Sequence, residues 1–112
     1  MASAPSFAAD AAAGEDVFNK KCKTCHALDK AKVGPPLGGV VGSKAGTADF
    51  KRYVGLENVD FEWTPELLDE YIEDPKTFVE THTENKRTAM TFKLKDEEER
   101  ANVIEYLKTT SR

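Results

Sequence analysis

Cys22-Lys23-Thr24-Cys25-His26 holds the chain's only two cysteines, three residues apart, with a histidine directly after the second. On one helical turn, residues i and i+3 share a face, so both thiols can form thioethers to vinyl groups of one flat cofactor. His26, at i+4 from Cys22, lies on that face too and can aim a ring nitrogen at a metal in the cofactor's centre. This spacing is the attachment signature of haem c, one haem held covalently through Cys22 and Cys25 with His26 as an iron ligand. Three other chemistries compete for the same residues. A redox dithiol of thioredoxin type expects a βαβ context, and no β-rich run flanks this pair. A zinc site from Cys22, Cys25, His26 and His82 would need the adjacent Cys25 and His26 both to ligate, with no second pair at ligand spacing. A disulfide between i and i+3 would be strained and would leave His26 without a role.

A haem iron has a second axial position, and its occupant decides between electron transfer and ligand chemistry. The candidates are Met90 and His82, because the only other methionine is Met1. Met90 sits in the polar stretch Lys86-Arg87-Thr88-Ala89-Met90-Thr91-Phe92-Lys93-Leu94. A lone methionine is usually core filler, but a polar loop is a poor place for filler, which favours Met90 as the ligand. His82 reads as a solvent-facing loop residue. A thioether favours ferrous iron and raises the potential, whereas a second imidazole lowers it.

These residues must be positioned by 112 residues, one small domain with 39% hydrophobic residues. That is modest for a core, and a buried porphyrin would add a large apolar plate to pack against. No stretch approaches a membrane span in length. The net charge is −4, unevenly spread: residues 19–52 carry eight Lys/Arg and two acids, and residues 53–84 carry one Lys and ten acids. The basic side holds the CxxCH motif and is placed to steer a partner. An acidic chain with no basic-aromatic module makes nucleic acid an unsuitable partner. Residues 1–9 read as the end of a secretory signal or a disordered tail, and residues 10–112 as the single domain.

Asp10 can cap a helix from Ala11 to about Cys22, in which Gly14 permits a close backbone approach. Residues 30–47, rich in Gly and Pro, read as extended loop. Thr64-Pro65 opens a second helix with Leu67, Leu68, Tyr71 and Ile72 at helical spacing. Asp74-Pro75 ends it and begins a short one through Phe78 and Val79. Residues 80–88 look irregular. Asp96 caps a last helix, with Glu97, Glu98 and Glu99 in its first turn and Val103, Ile104 and Leu107 as its buried stripe. The class is all-α, helices joined by long loops. A loop as long as 30–47 is acceptable if it wraps a cofactor.

The chain resembles class I cytochrome c of the bacterial cytochrome c₂ type, from about Gly14 to Lys108. The resemblance rests on Cys22 to His26, on Gly34-Pro35-Pro36-Leu37, on Trp63 with the Tyr71 helix up to Pro75, and on Met90-Thr91-Phe92-Lys93-Leu94. It implies a small cytochrome c fold, with helices and long loops wrapped around one covalently attached haem and the N- and C-terminal helices crossing. It further implies that the Pro35 carbonyl meets the second ring nitrogen of His26, and that Tyr71 points its hydroxyl at the Met90 sulfur. Tyr53, Trp63 and Thr88 would hydrogen-bond the haem propionates, and Leu37 and Phe92 would pack on the ring. Gly14 and Phe18 would meet Tyr106 at the helix crossing. Two departures stand out. Ser43, beside Lys44, replaces the arginine that mitochondrial relatives place near a propionate, and the segment from Pro75 to Met90 is longer than in the mitochondrial form.

The expected function is that of a periplasmic single-electron carrier, a monomer and not an enzyme. It would take electrons from a quinol-oxidising cytochrome bc complex and pass them to a terminal oxidase, a reductase or a photosynthetic reaction centre. Lys20, Lys21, Lys23, Lys86, Arg87, Lys93 and Lys95 are the candidates for a rim that meets these membrane redox complexes through small, transient, salt-sensitive contacts. Two rivals stay open: a haem enzyme or ligand sensor with a labile sixth site, and a domain of a membrane-anchored or multidomain cytochrome.

Overall fold

Asp10 begins the first helix as its side chain suggests, Oδ1 accepting the Ala12 N–H at 2.9 Å. The structure, a computed structural model, describes residues 9–48, 55–57 and 59–110. Helix α1 (Ala11–Val17) runs into a π-helical turn over Phe18–Cys22, where the α-helical reading expected no break. There the Lys23 N–H reaches five residues back to the Phe18 carbonyl at 2.9 Å. The wider turn resets the rotation of the chain just before the cysteine pair.

Pro65–Glu73 forms α2, opened by Thr64 Oγ1 accepting the Leu67 N–H at 3.1 Å. Asp74 closes α2 and opens α3 (Pro75–His82) through Oδ1 and the Thr77 N–H at 3.2 Å. That bond, with lesser help from Lys93 and Lys95, holds its carboxyl below the usual range. Helix α4 (Glu97–Lys108) starts at Asp96, whose Oδ1 accepts the Glu99 N–H at 3.0 Å. His82 is thus the last residue of α3, a correction to its reading as a loop residue. The helix extends past Val79 to its cap Thr83, whose N–H and hydroxyl both donate to the Val79 carbonyl, at 3.1 Å and 2.7 Å. Among the described residues, strand-like pairing amounts to one bridge, Lys44 with Glu62.

The main helix contact is the crossing of α1 with α4. A Cβ on Gly14 would lie 1.8 Å from the Asn102 carbonyl oxygen and 2.9 Å from Tyr106 Cβ. Asn102 Oδ1 accepts the Asp10 N–H at 2.8 Å, and the Phe18 and Tyr106 rings meet at 5.8 Å. Gly14→Ala gains helix propensity of about 1 kcal/mol but collides with backbone that cannot yield, for a net loss of about 2 kcal/mol. The measurement is the denaturant midpoint. A midpoint equal to wild type would mean that the helices do not cross this closely.

Val103, Ile104 and Leu107 are buried, as the stripe in α4 implies. They join Leu68, Phe78, Val79 and Trp63 in one apolar cluster. Trp63 is fixed by backbone as well as packing. Its carbonyl accepts the Gly42 N–H at 2.7 Å, and its N–H donates to the Ser43 carbonyl at 2.8 Å. Its ring sits 5.2 Å from those of both Phe61 and Tyr71. The loop expected over 30–47 is therefore pinned to the start of α2.

Candidate functional site

The turn after the π segment brings the chemistry together. The Cys22 carbonyl accepts from the Cys25 N–H at 3.1 Å and from the His26 N–H at 2.9 Å, so all three residues share one turn. The Cys25 carbonyl accepts the Gly34 N–H at 2.8 Å, which folds the glycine-proline stretch over His26. His26 Nδ1 donates to the Pro35 carbonyl at 2.8 Å in the tautomer that this acceptor selects. Nε2 is then the free acceptor of the ring. Burial lowers the affinity of the imidazole for a second proton, an effect that the Pro35 bond opposes and nearby Lys32 reinforces. The ring is neutral at pH 7, the form that binds a metal.

Gly34 is part of this arrangement, and the sequence reading missed its role. A Cβ there would lie 2.3 Å from His26 Cε1 and 2.8 Å from Nδ1. Only a residue without a side chain lets the backbone lie against the imidazole face. Gly34→Ala is expected to tilt the ring, weaken its bond to Pro35 and cost about 1–3 kcal/mol. Denaturant titration with imidazole NMR resonances checks this. Unchanged resonances would contradict it.

Cys22, Cys25 and His26 line a cavity of about 310 Å³ together with Met90. Leu37, Trp63, Tyr71 and Phe92 also line it, as do Leu68 of α2 and Val103 and Leu107 of α4. Of the expected site residues, Pro35 is present in this lining as well. Thr88 is absent from it, and its Oγ1 accepts the Met90 N–H at 3.2 Å, which leaves its O–H to donate. Tyr53 lies outside the described residues. His82 is also away from the cavity, stacked on Phe78 at 4.4 Å and hydrogen-bonded through Nε2 to Glu70 Oε2.

The donor set fits a c-type haem and little else. Burial, with Cys25 adding and Lys21 opposing, pushes the Cys22 thiol up to about 11. It is therefore a thiol at neutral pH and not the activated thiolate that a redox dithiol needs. No group of three or more His, Cys, Asp or Glu among the described residues is placed to hold a metal ion on side chains alone. Two thiols, a neutral imidazole and a thioether around an apolar slot match a flat, hydrophobic, iron-bearing ring.

The rim candidates divide. Lys21 Nζ pairs with Glu99 at 2.7 Å and Lys93 Nζ with Asp74 at 3.6 Å. Lys20, Lys23, Lys86, Arg87 and Lys95 are exposed with no ion pair among the described residues. Sequence reasoning also passed over Arg100, which is buried. Its signal was position: Arg100 lies three residues before Val103 and so on the same face as the stripe.

Comparison with known proteins gives the same picture. The Cytochrome c family model matches residues 11–111. A cytochrome c2 of Rhodopseudomonas palustris is 45% identical over 114 residues, covering 91% of this chain and 81% of that protein. The solved structure of ferricytochrome c2 from Rhodopseudomonas palustris superposes with a TM-score of 0.83 at 41% identity, over 91% of this chain and 99% of that one. Ferric cytochrome c-550 from Paracoccus versutus gives 0.81 at 35% identity, over 94% of this chain and 100% of that one.

Proposed function

This chain belongs to the cytochrome c family, electron carriers that hold haem c covalently, and on that premise we propose that it is a periplasmic single-electron carrier with His26 and Met90 as axial ligands. The observation that carries the reading is that both cysteines, His26 and Met90 line one apolar cavity. Haem c supplies a one-electron ferric–ferrous couple when bound. Cys22 and Cys25, three residues apart on one turn, would anchor it, and His26 is oriented by its bond to the Pro35 carbonyl. Met90 supplies a soft sulfur that favours the reduced state. Leu37, Trp63, Tyr71 and Leu68 keep water from the slot, which raises the cost of the extra charge on the oxidised side. With His26 and Met90 both holding the iron, no site would be left open for a substrate, which supports a carrier over an enzyme. Little has to move when an electron passes.

Haem attachment at CxxCH resembles a process completed outside the cytoplasmic membrane, which supports the periplasm. No helix among the described residues is long and apolar enough to cross a membrane. The proposed donor is a quinol-oxidising cytochrome bc complex, and the acceptors are a terminal oxidase, a reductase or a photosynthetic reaction centre. Lys20, Lys23, Lys86, Arg87 and Lys95 meet them first. Lys21 and Lys93 remain available, because exposed ion pairs hold them by only about 0–1 kcal/mol. In stopped-flow oxidation of a solubilised bc complex, the second-order rate constant is expected to fall about tenfold as salt rises from about 0.01 M to about 0.15 M. A rate that ignores salt would refute electrostatic docking.

A further inference from the structure

Arg100 is the one charged side chain among the described residues that is buried, 5% exposed. A guanidinium leaves water only where its donors find acceptors, and here they reach from α4 to two other segments. Nε donates to Asp69 Oδ1 on α2 at 2.8 Å. Nη1 donates to two successive backbone carbonyls, Leu94 at 3.0 Å and Lys95 at 2.9 Å. Those carbonyls end the segment that begins at Met90, which is neither helix nor strand. The same foot is tied to α2 by the Leu94 N–H, which donates to the Ile72 carbonyl at 2.9 Å.

We infer that Arg100 is a positioning residue for Met90: by holding the carbonyls of Leu94 and Lys95 it anchors the foot of the methionine loop and sets how often the sulfur leaves its place. The inference rests on the proposal that Met90 is an iron ligand. A merely structural role, bracing α4 against α2, would lower global stability without loosening this loop in particular.

The test uses imidazole as a competing ligand for the oxidised holoprotein. Imidazole binds only where Met90 has left, so its apparent affinity scales with the open fraction. Arg100→Lys keeps the charge but loses the rigid fork. Its apparent imidazole affinity should rise about tenfold, the effect of losing about 1.4 kcal/mol of charge-assisted hydrogen bonding. Arg100→Met should do at least as much. Asp69→Asn leaves both carbonyl contacts in place and should rise by less than either. Asp10→Ala, which removes the cap of α1 at a cost of about 1 kcal/mol and leaves the backbone of α4 untouched, is the control, and should change imidazole affinity by no more than about twofold.

Wild-type affinity in Arg100→Lys would overturn the inference. So would a control that loosens Met90 as much for the same loss in denaturant midpoint. If Arg100→Met does not fold, Arg100→Lys and Asp69→Asn still decide. The ligation proposal is tested separately in the wild type. If its oxidised form lacks a near-infrared sulfur-to-iron band, that proposal fails and takes this inference with it. If the band is present and Arg100→Lys behaves as wild type, only the inference fails.

Discussion

Met90→Ala is expected to lower the midpoint potential by on the order of 0.2 V, within the span of about 0.8 V that axial ligands command. It should also let the reduced protein bind carbon monoxide. Met90 lines the cavity with Ala89, Thr91 and Phe92, and its side chain is half-buried. Alanine removes the only thioether among the described residues of the lining and leaves the neighbouring walls in place. The loss of packing should therefore cost less than the 2–5 kcal/mol typical of a fully buried methionine. The spectroscopic change then reports ligation and not collapse. The control is His82→Ala. His82 stacks on Phe78, pairs with Glu70 and does not line the cavity, so its removal should leave potential and ligand binding unchanged. Potentiometric titration and carbon monoxide binding read both variants. If His82→Ala gave the shift and Met90→Ala did not, the assignment would be reversed.

The largest loss of stability belongs to the double variant Cys22→Ser, Cys25→Ser. A hydroxyl does not replace a thiol in forming the thioether, so both anchors go and any haem can be extracted with acid-acetone. The consequence for the fold follows from volume. The cavity these residues line is about 310 Å³. At about 24 cal/mol per Å³, a closed cavity of this size would cost about 7 kcal/mol, an upper bound for a slot partly open to solvent. A small domain has only about 5–15 kcal/mol of stability in all. Without its cofactor the chain should lose most of its cooperative fold, read as a loss of near-native circular dichroism and of a sharp denaturant transition. A double variant that unfolds as sharply as wild type would show that the core stands without the haem.

Much of this was legible in the sequence because the signals are local. CxxCH is read from five adjacent residues, and the caps Asp10, Thr64 and Asp96 need only a side chain three or fewer positions from the amide they accept. The Gly34-Pro35 stretch could be tied to His26 only through the resemblance, since the 2.8 Å bond to Pro35 spans nine residues of loop. What stayed hidden was not local. The π turn at Phe18–Cys22 has no compositional mark, because an i+5 bond uses the same residues as an i+4 bond. Phe61 and Phe78 join Trp63 and Tyr71 in one aromatic cluster only after α2 and α3 have folded together. Arg100 drew no reading, since its acceptors are backbone carbonyls and a carboxylate 31 positions away. His82 was misplaced because the helix carries on for three residues past its last apolar one, Val79.

The central proposal is that the chain would hold haem c through Cys22 and Cys25 and fill both sides of its iron, with His26 on one and Met90 on the other. The near-infrared absorption spectrum of the oxidised wild-type protein at neutral pH tests it most directly. The account predicts a weak sulfur-to-iron charge-transfer band that disappears in Met90→Ala. A wild-type spectrum without that band, in a protein whose reduced form takes up carbon monoxide at once, would contradict it.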